Sequence, residues 1–197
     1  MKTKIFTLAL FAVLITSCNR PVYEYYLFTD VDKQMIPYEL GQTVSFIDSE
    51  EQPFILTVTR NTTSSVSERM MDNFYIVFSE RIVNLQSENL RIKLYVVGKN
   101  PKDKYNVIDV FIGIGVEVNE PYCRIYYDKE GNFLEQGDNS IHDSIDIDGK
   151  VYYDVVECNT NTSLDWQPTI PTQFFYNKTY GILQINRDGE NFCTLKE

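Results

Sequence analysis

The sequence has few of the residues from which catalytic and metal sites are usually built: one His, four Cys and one Trp among 197 residues. A single imidazole excludes sites that need several histidines, so Ser-His or Cys-His catalysis would depend on His142 alone. Four cysteines are too few for a disulfide-rich scaffold, and a chain of this length can bury a sufficient core without one. We therefore expect one ordinary domain.

Positive charge is also scarce. Lys and Arg number 18 against 28 Asp and Glu, which gives a formal net charge of −10. A field of that sign repels phosphate backbones, so no nucleic acid is expected as a partner.

An uncharged and almost wholly apolar run covers residues 5–15, directly after Lys2 and Lys4. This order is typical of a signal peptide. A helix of this length, at about 1.5 Å per residue, covers roughly half of a hydrocarbon core about 30 Å thick. The segment therefore predicts export followed by cleavage rather than a stable membrane span.

The stretch Leu14-Ile15-Thr16-Ser17-Cys18 resembles the lipobox of bacterial lipoproteins, with an aliphatic residue, a small residue before the cut and an obligatory Cys. The resemblance implies lipidation of the Cys18 sulfur and cleavage after residue 17. Residues 1–17 are then a lipoprotein signal peptide, and residues 18–35 a lipidated N-terminus and tether. Asn19, rather than Asp, follows the anchor, which under the sorting rule of enteric lipoproteins implies the outer membrane, facing the periplasm or the surface.

From Ile36 onward, short runs of alternating apolar and polar residues separated by turn residues predict an antiparallel all-β domain over 36–197. This mainly β domain is expected to be a curved sheet, an open barrel or a sandwich, with little helix. The clearest alternating runs cover residues 54–58, 90–96 and 108–118. In the last of these, Gly113 and Gly115 predict a bend.

Turn and bulge residues divide these runs. Asp148-Gly149 and Asp188-Gly189 predict two hairpin turns, because Gly accepts a positive φ without steric cost. The apolar phase slips by one residue between 74–78 and 83–85, which predicts a bulge around 79–81. Residues 159–172 are rich in Asn, Thr and Pro and predict a long loop that carries Trp166.

Four segments resemble the uncharacterised lipoproteins common in Bacteroidota, in which a "G-K-x-Y-x-D-V" strand precedes a "Y-x-x-x-x-G-I-L" strand and a short final strand. The segments are residues 38–46, 146–155, 175–183 and 192–195. The resemblance extends from the lipobox to the C-terminus, and it implies a lipid-anchored envelope protein. Its motifs are packing and turn patterns, and they imply no particular chemistry.

His142 lies beside Asp143 and close to Ser140 and Ser144 in sequence. Neighbours on a strand point to opposite faces, and no nucleophile motif such as G-x-S-x-G is present. We therefore predict an exposed histidine at a strand end, no catalytic residues and no enzyme activity.

Asp143, Asp146 and Asp148 have the composition of a calcium loop, but Ser144 and Val155 stand where such a loop needs carboxylates. A hairpin turn is the favoured interpretation, so neither a metal nor a cofactor is predicted.

The triplet Asp143-Ser144-Ile145 matches the short sequence on which exported proteins of this bacterial group are O-glycosylated. Ser144 is therefore a candidate O-glycosylation site, provided that it is exposed.

Cys123, Cys158 and Cys193 fall within strand-like runs and lack the spacing of metal ligands, so they are predicted to be buried small hydrophobic residues. The sequence leaves open whether two of them form a disulfide.

Aromatic residues make up 14% of the chain. Most are expected to pack in the core and across strands, but a minority can line a ligand face. The candidates for such a face are Tyr122, Tyr126, Tyr127, Tyr152 and Tyr153.

The first functional hypothesis is a non-enzymatic, membrane-anchored domain that binds an unknown protein, glycan or lipid in the cell envelope. The alternative is a carrier of a lipid or other apolar ligand in an open β-barrel. A concave face lined by exposed apolar side chains would favour the carrier, and a barrel filled by its own side chains would count against it. A hydrolase ranks last, because no nucleophile, base or metal cluster is recognisable.

Overall fold

The computed structural model of the chain describes residues 21–71, 73–100, 102–115, 123–159 and 171–196. The predicted signal peptide, Cys18 and Trp166 lie outside these residues, as does most of the predicted 159–172 loop. The described strands are β1 (Val22–Tyr26), β2 (Thr43–Asp48), β3 (Pro53–Met71), β4 (Phe74–Gln86), β5 (Leu90–Val97), β6 (Asn106–Ile114), β7 (Cys123–Tyr127), β8 (Phe133–Leu134), β9 (Asn139–Ile147), β10 (Lys150–Asn159), β11 (Gln173–Asn177), β12 (Gly181–Arg187) and β13 (Glu190–Lys196), and the helix is α1 (Asp30–Gln34).

The strands form one sheet with the order β8-β7-β6-β5-β4-β3-β2-β13-β12-β11-β10-β9. Neighbours along this path are antiparallel, and β1 joins the sheet by pairing in parallel with β4. The sheet curves until β7 lies against β10, which nearly closes it into a barrel. The prediction of a mainly β, antiparallel domain with little helix is confirmed.

Both predicted Asp-Gly turns are confirmed, between β9 and β10 and between β12 and β13. In each turn both central residues have positive φ: 52° and 81° for Asp148 and Gly149, and 56° and 81° for Asp188 and Gly189. Positive φ at both positions is the geometry of the type I′ turn, whose twist matches that of the flanking strands.

Alternate side chains of the long strands point into the barrel, as the period-two pattern predicts. The inward side chains of β5 and β6 are at most 9% exposed: Leu90, Ile92, Leu94, Val96, Ile108, Val110, Ile112 and Ile114. β6 ends at Ile114, and the predicted bend lies at Gly115, where φ is 70°. Residues 116–118 of the predicted strand lie outside the described part of the chain.

A side chain of β9 helps to bridge the gap between the two ends of the sheet. Asn139 donates from Nδ2 to the carbonyl oxygen of Arg124 at 2.6 Å, and the Cys123 thiol donates to Asn139 Oδ1 at 3.3 Å. Among the described strands, no backbone pairing joins β7 or β8 to β9 or β10, so these side-chain bonds link the two ends of the sheet.

Helix α1 packs against one end of the barrel. Thr29 caps it by accepting from the backbone N–H of Asp32, while the Asp32 side chain accepts from the backbone N–H of Thr29. Val31 packs against the hydrophobic core of the barrel. Gly131 lies close to α1, since a β-carbon at this position would be only 3.0 Å from Val31 Cγ1. Met35 and the chain that follows enter the core.

The segment predicted to be a tether, residues 18–35, therefore contains two ordered elements, and the first strand of the sheet begins at Val22 rather than near Ile36. The reason is that β1 finds its partner more than 50 residues later in the chain, in the parallel register Val22↔Phe74. A pairing of this kind leaves no local pattern in the sequence.

Strands β3 and β4 extend beyond the barrel. One edge of β4 is shared, because β5 pairs with residues 80–86 and β1 pairs with residues 74–78. On β3, pairing with β2 ends at Thr57. Strand β1, residues 65–71 of β3 and residues 74–79 of β4 thus form a three-stranded projection, here called the arm, which is roughly 20 Å long at about 3.3 Å per residue.

The bulge predicted around residues 79–81 is wrong: β3 and β4 pair continuously through Ser79, Glu80 and Arg81. The register shifts lie on β3, between Val58 and Arg60 and between Arg69 and Met71. The apolar phase changes because β4 passes from the barrel, where one face is core, to the arm, where apolar side chains occupy both faces.

Candidate interaction surfaces

His142 forms a pair with a residue that sequence reasoning missed. Its Nε2 lies 2.7 Å from Glu157 Oε2, across strands β9 and β10, while neither Asp143 nor a serine of the described chain bonds to the ring. The register of the β9–β10 hairpin could have identified Glu157. It places Val155 opposite His142, and the side chain of Glu157, two residues further along β10, lies on the same face of the sheet.

The Glu157 carboxylate is held by several donors. Oε1 accepts from Asn159 Nδ2 at 3.0 Å and from Gln173 Nε2 at 2.7 Å. Partial burial acts to raise the pKa of Glu157, but the hydrogen bonds from Asn159, His142 and Gln173 outweigh it and hold the pKa below its ordinary value. The pair is thus part of a polar network across β9, β10 and β11, and it lacks a nucleophile.

The three acids of the candidate calcium loop do not converge. Asp146 Oδ1 accepts from the backbone N–H of Gly149 at 2.8 Å, as expected for a turn. In the described ranges, no group of three or more His, Cys, Asp or Glu side chains is arranged to hold a metal ion. Ser144, the candidate glycosylation site, is exposed, but it lies within β9 opposite Tyr153 and not in a loop.

The three cysteines of the described residues, Cys123, Cys158 and Cys193, are free. Cys158 and Cys193 are fully buried, while Cys123 is half-buried. Cys123 and Cys158 approach each other where β7 meets β10. Burial, followed by the contact with Cys123, raises the pKa of the Cys158 thiol, and burial likewise raises that of Cys193.

The tyrosines proposed for a ligand face are separated by the fold. Tyr127 is buried in the barrel, Tyr152 belongs to a smaller core cluster with Val155, and Tyr153 is 67% exposed. Tyr126 lies on the outer face of β7 and lines a groove. Tyr122 lies outside the described residues.

The groove containing Tyr126 has a volume of about 350 Å³ and is open to solvent. Strands β5, β6 and β7 and the segment between β5 and β6 supply its walls: Val97, Lys99, Tyr105, Val107, Asp109, Arg124 and Tyr126. All the strand residues among these point away from the core, since their neighbours Val96, Ile108 and Ile125 are buried.

The groove combines an ion pair with aromatic rings. Arg124 Nε lies 3.0 Å from Asp109 Oδ1, in the antiparallel register that pairs these two residues. The Tyr105 and Tyr126 rings meet edge to face with centroids 5.3 Å apart, and Lys99 Nζ lies 5.2 Å from the Tyr105 centroid. Donors, an acceptor and aromatic rings thus converge on one concavity, as in small-molecule sites.

The barrel interior, by contrast, is filled by side chains of the chain itself. Met35, Ile36 and Tyr38, which follow α1, are each at most 2% exposed and belong to the main core. The Tyr176 hydroxyl donates to the carbonyl oxygen of Met35, and Arg81 Nη1 donates to that of Lys33 at 2.7 Å. These bonds fix the segment across the end of the barrel.

The arm presents a second surface, with apolar side chains that are unusually exposed. Val22, Tyr23 and Tyr25 of β1 are 58%, 46% and 59% exposed, and Met70 and Met71 of β3 are 51% and 69% exposed. A three-stranded ribbon without a second layer has no core in which to bury them.

Comparison with protein families, with curated proteins and with solved structures finds no match to this chain. Among the described residues, no helix has the length and apolar character needed to cross a membrane.

Proposed function

We propose that this protein is a lipid-anchored bacterial envelope lipoprotein that acts by binding and not by catalysis. The lipobox ending at Cys18 supports the anchor, and the resemblance to the lipoproteins of Bacteroidota supports the same assignment. Asn19, directly after the anchor, supports the outer membrane as its location. Several acyl chains on one residue hold a soluble domain on a bilayer more firmly than one chain would.

The groove on β5–β7 is the observation that carries the binding role. It brings two tyrosine rings and the Arg124–Asp109 pair within one open concavity. Rings stack on the apolar faces of sugars, while a guanidinium and a carboxylate bond to hydroxyl groups. The ligand class that this chemistry fits best is therefore a saccharide of the envelope.

The carrier alternative has less support. It requires a concave face lined by exposed apolar side chains, whereas the interior formed by the described strands is occupied by Met35, Ile36, Tyr38 and their neighbours. The contacts of His142 also favour a non-enzymatic role, since its partner Glu157 is a carboxylate that Asn159 and Gln173 hold in place.

Two experiments test this proposal. For the anchor, cells are grown with an alkyne analogue of palmitate: the wild-type protein should be labelled and sediment with membranes, and Cys18→Ala should lose both properties. Unchanged membrane retention of that variant would overturn the anchor.

For the binding site, the domain is screened against an array of bacterial saccharides, and affinities for any hit are measured. Tyr126→Ala should weaken binding by about tenfold or more, which corresponds to roughly 1.4 kcal/mol. Tyr153→Ala is the matched control, because this exposed tyrosine of β10 lies outside the groove. Absence of any saccharide ligand, or equal losses in both variants, would contradict the assignment.

A further inference from the structure

The last paired positions of the arm, beside the turn at Asn73, are apolar on three adjacent strands. Met71 pairs with Phe74, and Phe74 pairs with Val22, so the three side chains form one row across one face. Met70 lies in the register shift between Arg69 and Met71. These four residues are here called the arm tip.

A pair of tyrosines follows directly behind this row on the opposite face. The rings of Tyr23 and Tyr75 are stacked, with centroids 5.2 Å apart. The order along the arm is therefore an apolar end followed by an aromatic pair. Tyrosine is enriched at membrane interfaces, where its apolar ring and polar hydroxyl suit the boundary between acyl chains and headgroups.

The position of the lipidation site connects this surface with a bilayer. Cys18 precedes Val22 by four residues, and four residues of fully extended chain span at most about 14 Å. The start of β1 is itself fixed at the arm tip, because the backbone N–H of Val22 donates to the carbonyl oxygen of Asn73 at 2.6 Å. Acyl chains on Cys18 would therefore enter the membrane beside the arm tip.

We propose that the arm tip inserts into the interfacial layer of the bilayer that holds the Cys18 acyl chains. Met70, Met71 and Val22 reach the acyl boundary, and the Tyr23–Tyr75 pair lies at the level of the headgroups. This inference rests on the proposed lipid anchor. It accounts for exposed apolar residues at the one end of the arm from which the anchor extends, since a large exposed apolar patch usually marks a contact surface.

The insertion also assigns an orientation. The barrel and its groove are held away from the membrane by the length of the arm, so the lipid contact and the groove occupy different parts of the molecule. Interfacial segments of this kind are buried about 5–10 Å into the boundary region, which a single row of side chains can reach.

The test uses tryptophan fluorescence in the full-length lipidated protein, reconstituted in vesicles of phosphatidylethanolamine and phosphatidylglycerol. Trp166, the only native tryptophan, is replaced by Phe. Met71→Trp then reports on the arm tip, and Ile55→Trp is the matched control, because Ile55 is an exposed residue of the same strand, 55% exposed. It lies 16 residues from Met71, roughly 50 Å along β3.

We expect brominated phospholipids to quench the emission of the Met71→Trp protein several-fold more than that of the Ile55→Trp protein, with a blue shift only in the former. Flotation of the same samples separates the two proposals. Protein that floats with the vesicles but shows equal quenching at both positions overturns the insertion while the anchor stands. Protein that does not float overturns both. Circular dichroism of the two variants checks that each keeps its β structure.

Discussion

The hydroxyl group of Tyr38 occupies the space that a β-carbon at Gly181 would need. The same hydroxyl accepts from the backbone N–H of Ile182 at 2.7 Å. The segment after α1 is therefore joined to the start of β12 by a contact that only glycine permits, and this contact connects the end of the barrel to its wall.

Replacement of Gly181 by Ala should destabilise the protein by about 2 kcal/mol or more, as estimated for overpacking of a core, in addition to the cost of the positive φ. The matched control is Gly41→Ala: both glycines have a φ of 81°, but no atom lies within 4 Å of a β-carbon at Gly41. Chemical denaturation of both variants isolates the steric cost as their difference. Equal destabilisation would show that Tyr38 moves aside freely.

The Asp32 carboxylate is buried at 2% exposure and accepts four hydrogen bonds. They come from the backbone and hydroxyl of Thr29 at 2.7 and 2.8 Å, from Asn106 Nδ2 at 2.5 Å and from the Tyr127 hydroxyl at 2.8 Å. An amide offers one acceptor atom in place of two, so Asp32→Asn should lower the free energy of unfolding by about 2–3 kcal/mol, the magnitude for a hydrogen bond to a charged group.

Asp30→Asn provides the control for Asp32, because Asp30 lies on the same helix with its side chain 88% exposed and pairs only with the surface residue Lys33. Its replacement should leave the unfolding midpoint nearly unchanged. If both variants behave alike, α1 does not contribute to the stability of the barrel end.

Burial raises the pKa of the three most deeply buried tyrosines, Tyr38, Tyr127 and Tyr176, above the ordinary value of 10.0, and the negative charge of Asp32 adds to the effect at Tyr127. A raised pKa in the folded state means that the unfolded chain releases its protons first. The stabilisation from these tyrosines is therefore fully present below about pH 10. Above that pH the free energy of unfolding falls by about 1.4 kcal/mol per pH unit for each such tyrosine.

Ultraviolet absorbance of tyrosinate checks this prediction. The buried tyrosines should ionise only as the protein unfolds, in step with the loss of its circular dichroism signal. In the Tyr38→Phe variant the free energy of unfolding should fall less steeply with alkaline pH, by the roughly 1.4 kcal/mol per pH unit that one tyrosine contributes. Full ionisation of all 14 tyrosines while the fold persists would refute the assigned burial.

The lowered pKa of Glu157 predicts the opposite dependence at acid pH. Because the folded protein holds the carboxylate ionised, the stabilisation is present above the ordinary pKa of 4.5 and is lost as the pH falls through the lower folded value. Glu157→Gln should therefore be less stable than the wild type at neutral pH, and the difference should shrink under acid conditions. Glu50→Gln, in an exposed turn, is the control; urea titrations over a range of pH values measure both.

Thiol reactivity tests the state of the cysteines. Apart from Cys18, which the proposed anchor acylates, the protein should show three reactive thiols when unfolded, and in the folded state only the half-buried Cys123 should react quickly with a maleimide. Burial protects Cys158 and Cys193 and disfavours their reactive thiolate form. Mass spectrometry after brief labelling gives the count. A single thiol in the unfolded protein would mean that two of the three had formed a disulfide.

Local patterns in the sequence predict the strands and turns of this fold well. The Asp-Gly pairs and the alternation in β5 and β6 are properties of a few neighbouring residues, and tertiary packing agrees with them. The pairing of β1 with β4 depends instead on partners about 50 residues apart, so the residues of β1 resemble a polar and aromatic tether when taken alone.

The candidate sites likewise combine features that are local in the sequence with contacts between distant residues. Tyr126 could be named as a ligand-face residue from its type, but the groove also needs Asp109 and Arg124, which meet only through the register of β6 with β7. Similarly, Asp32 belongs to a helix of five residues, too short for a periodic pattern, and its partners lie 74 and 95 residues away.

Strand β13 connects two halves of the sheet, because it pairs with β2 on one side and β12 on the other. In the described part of the chain no other strand pairing joins these halves. Strand β13 therefore completes the barrel, and the two halves cannot join until it is paired on both sides. A chain shortened before residue 190 would leave two open sheets, each with a bare edge ready to aggregate.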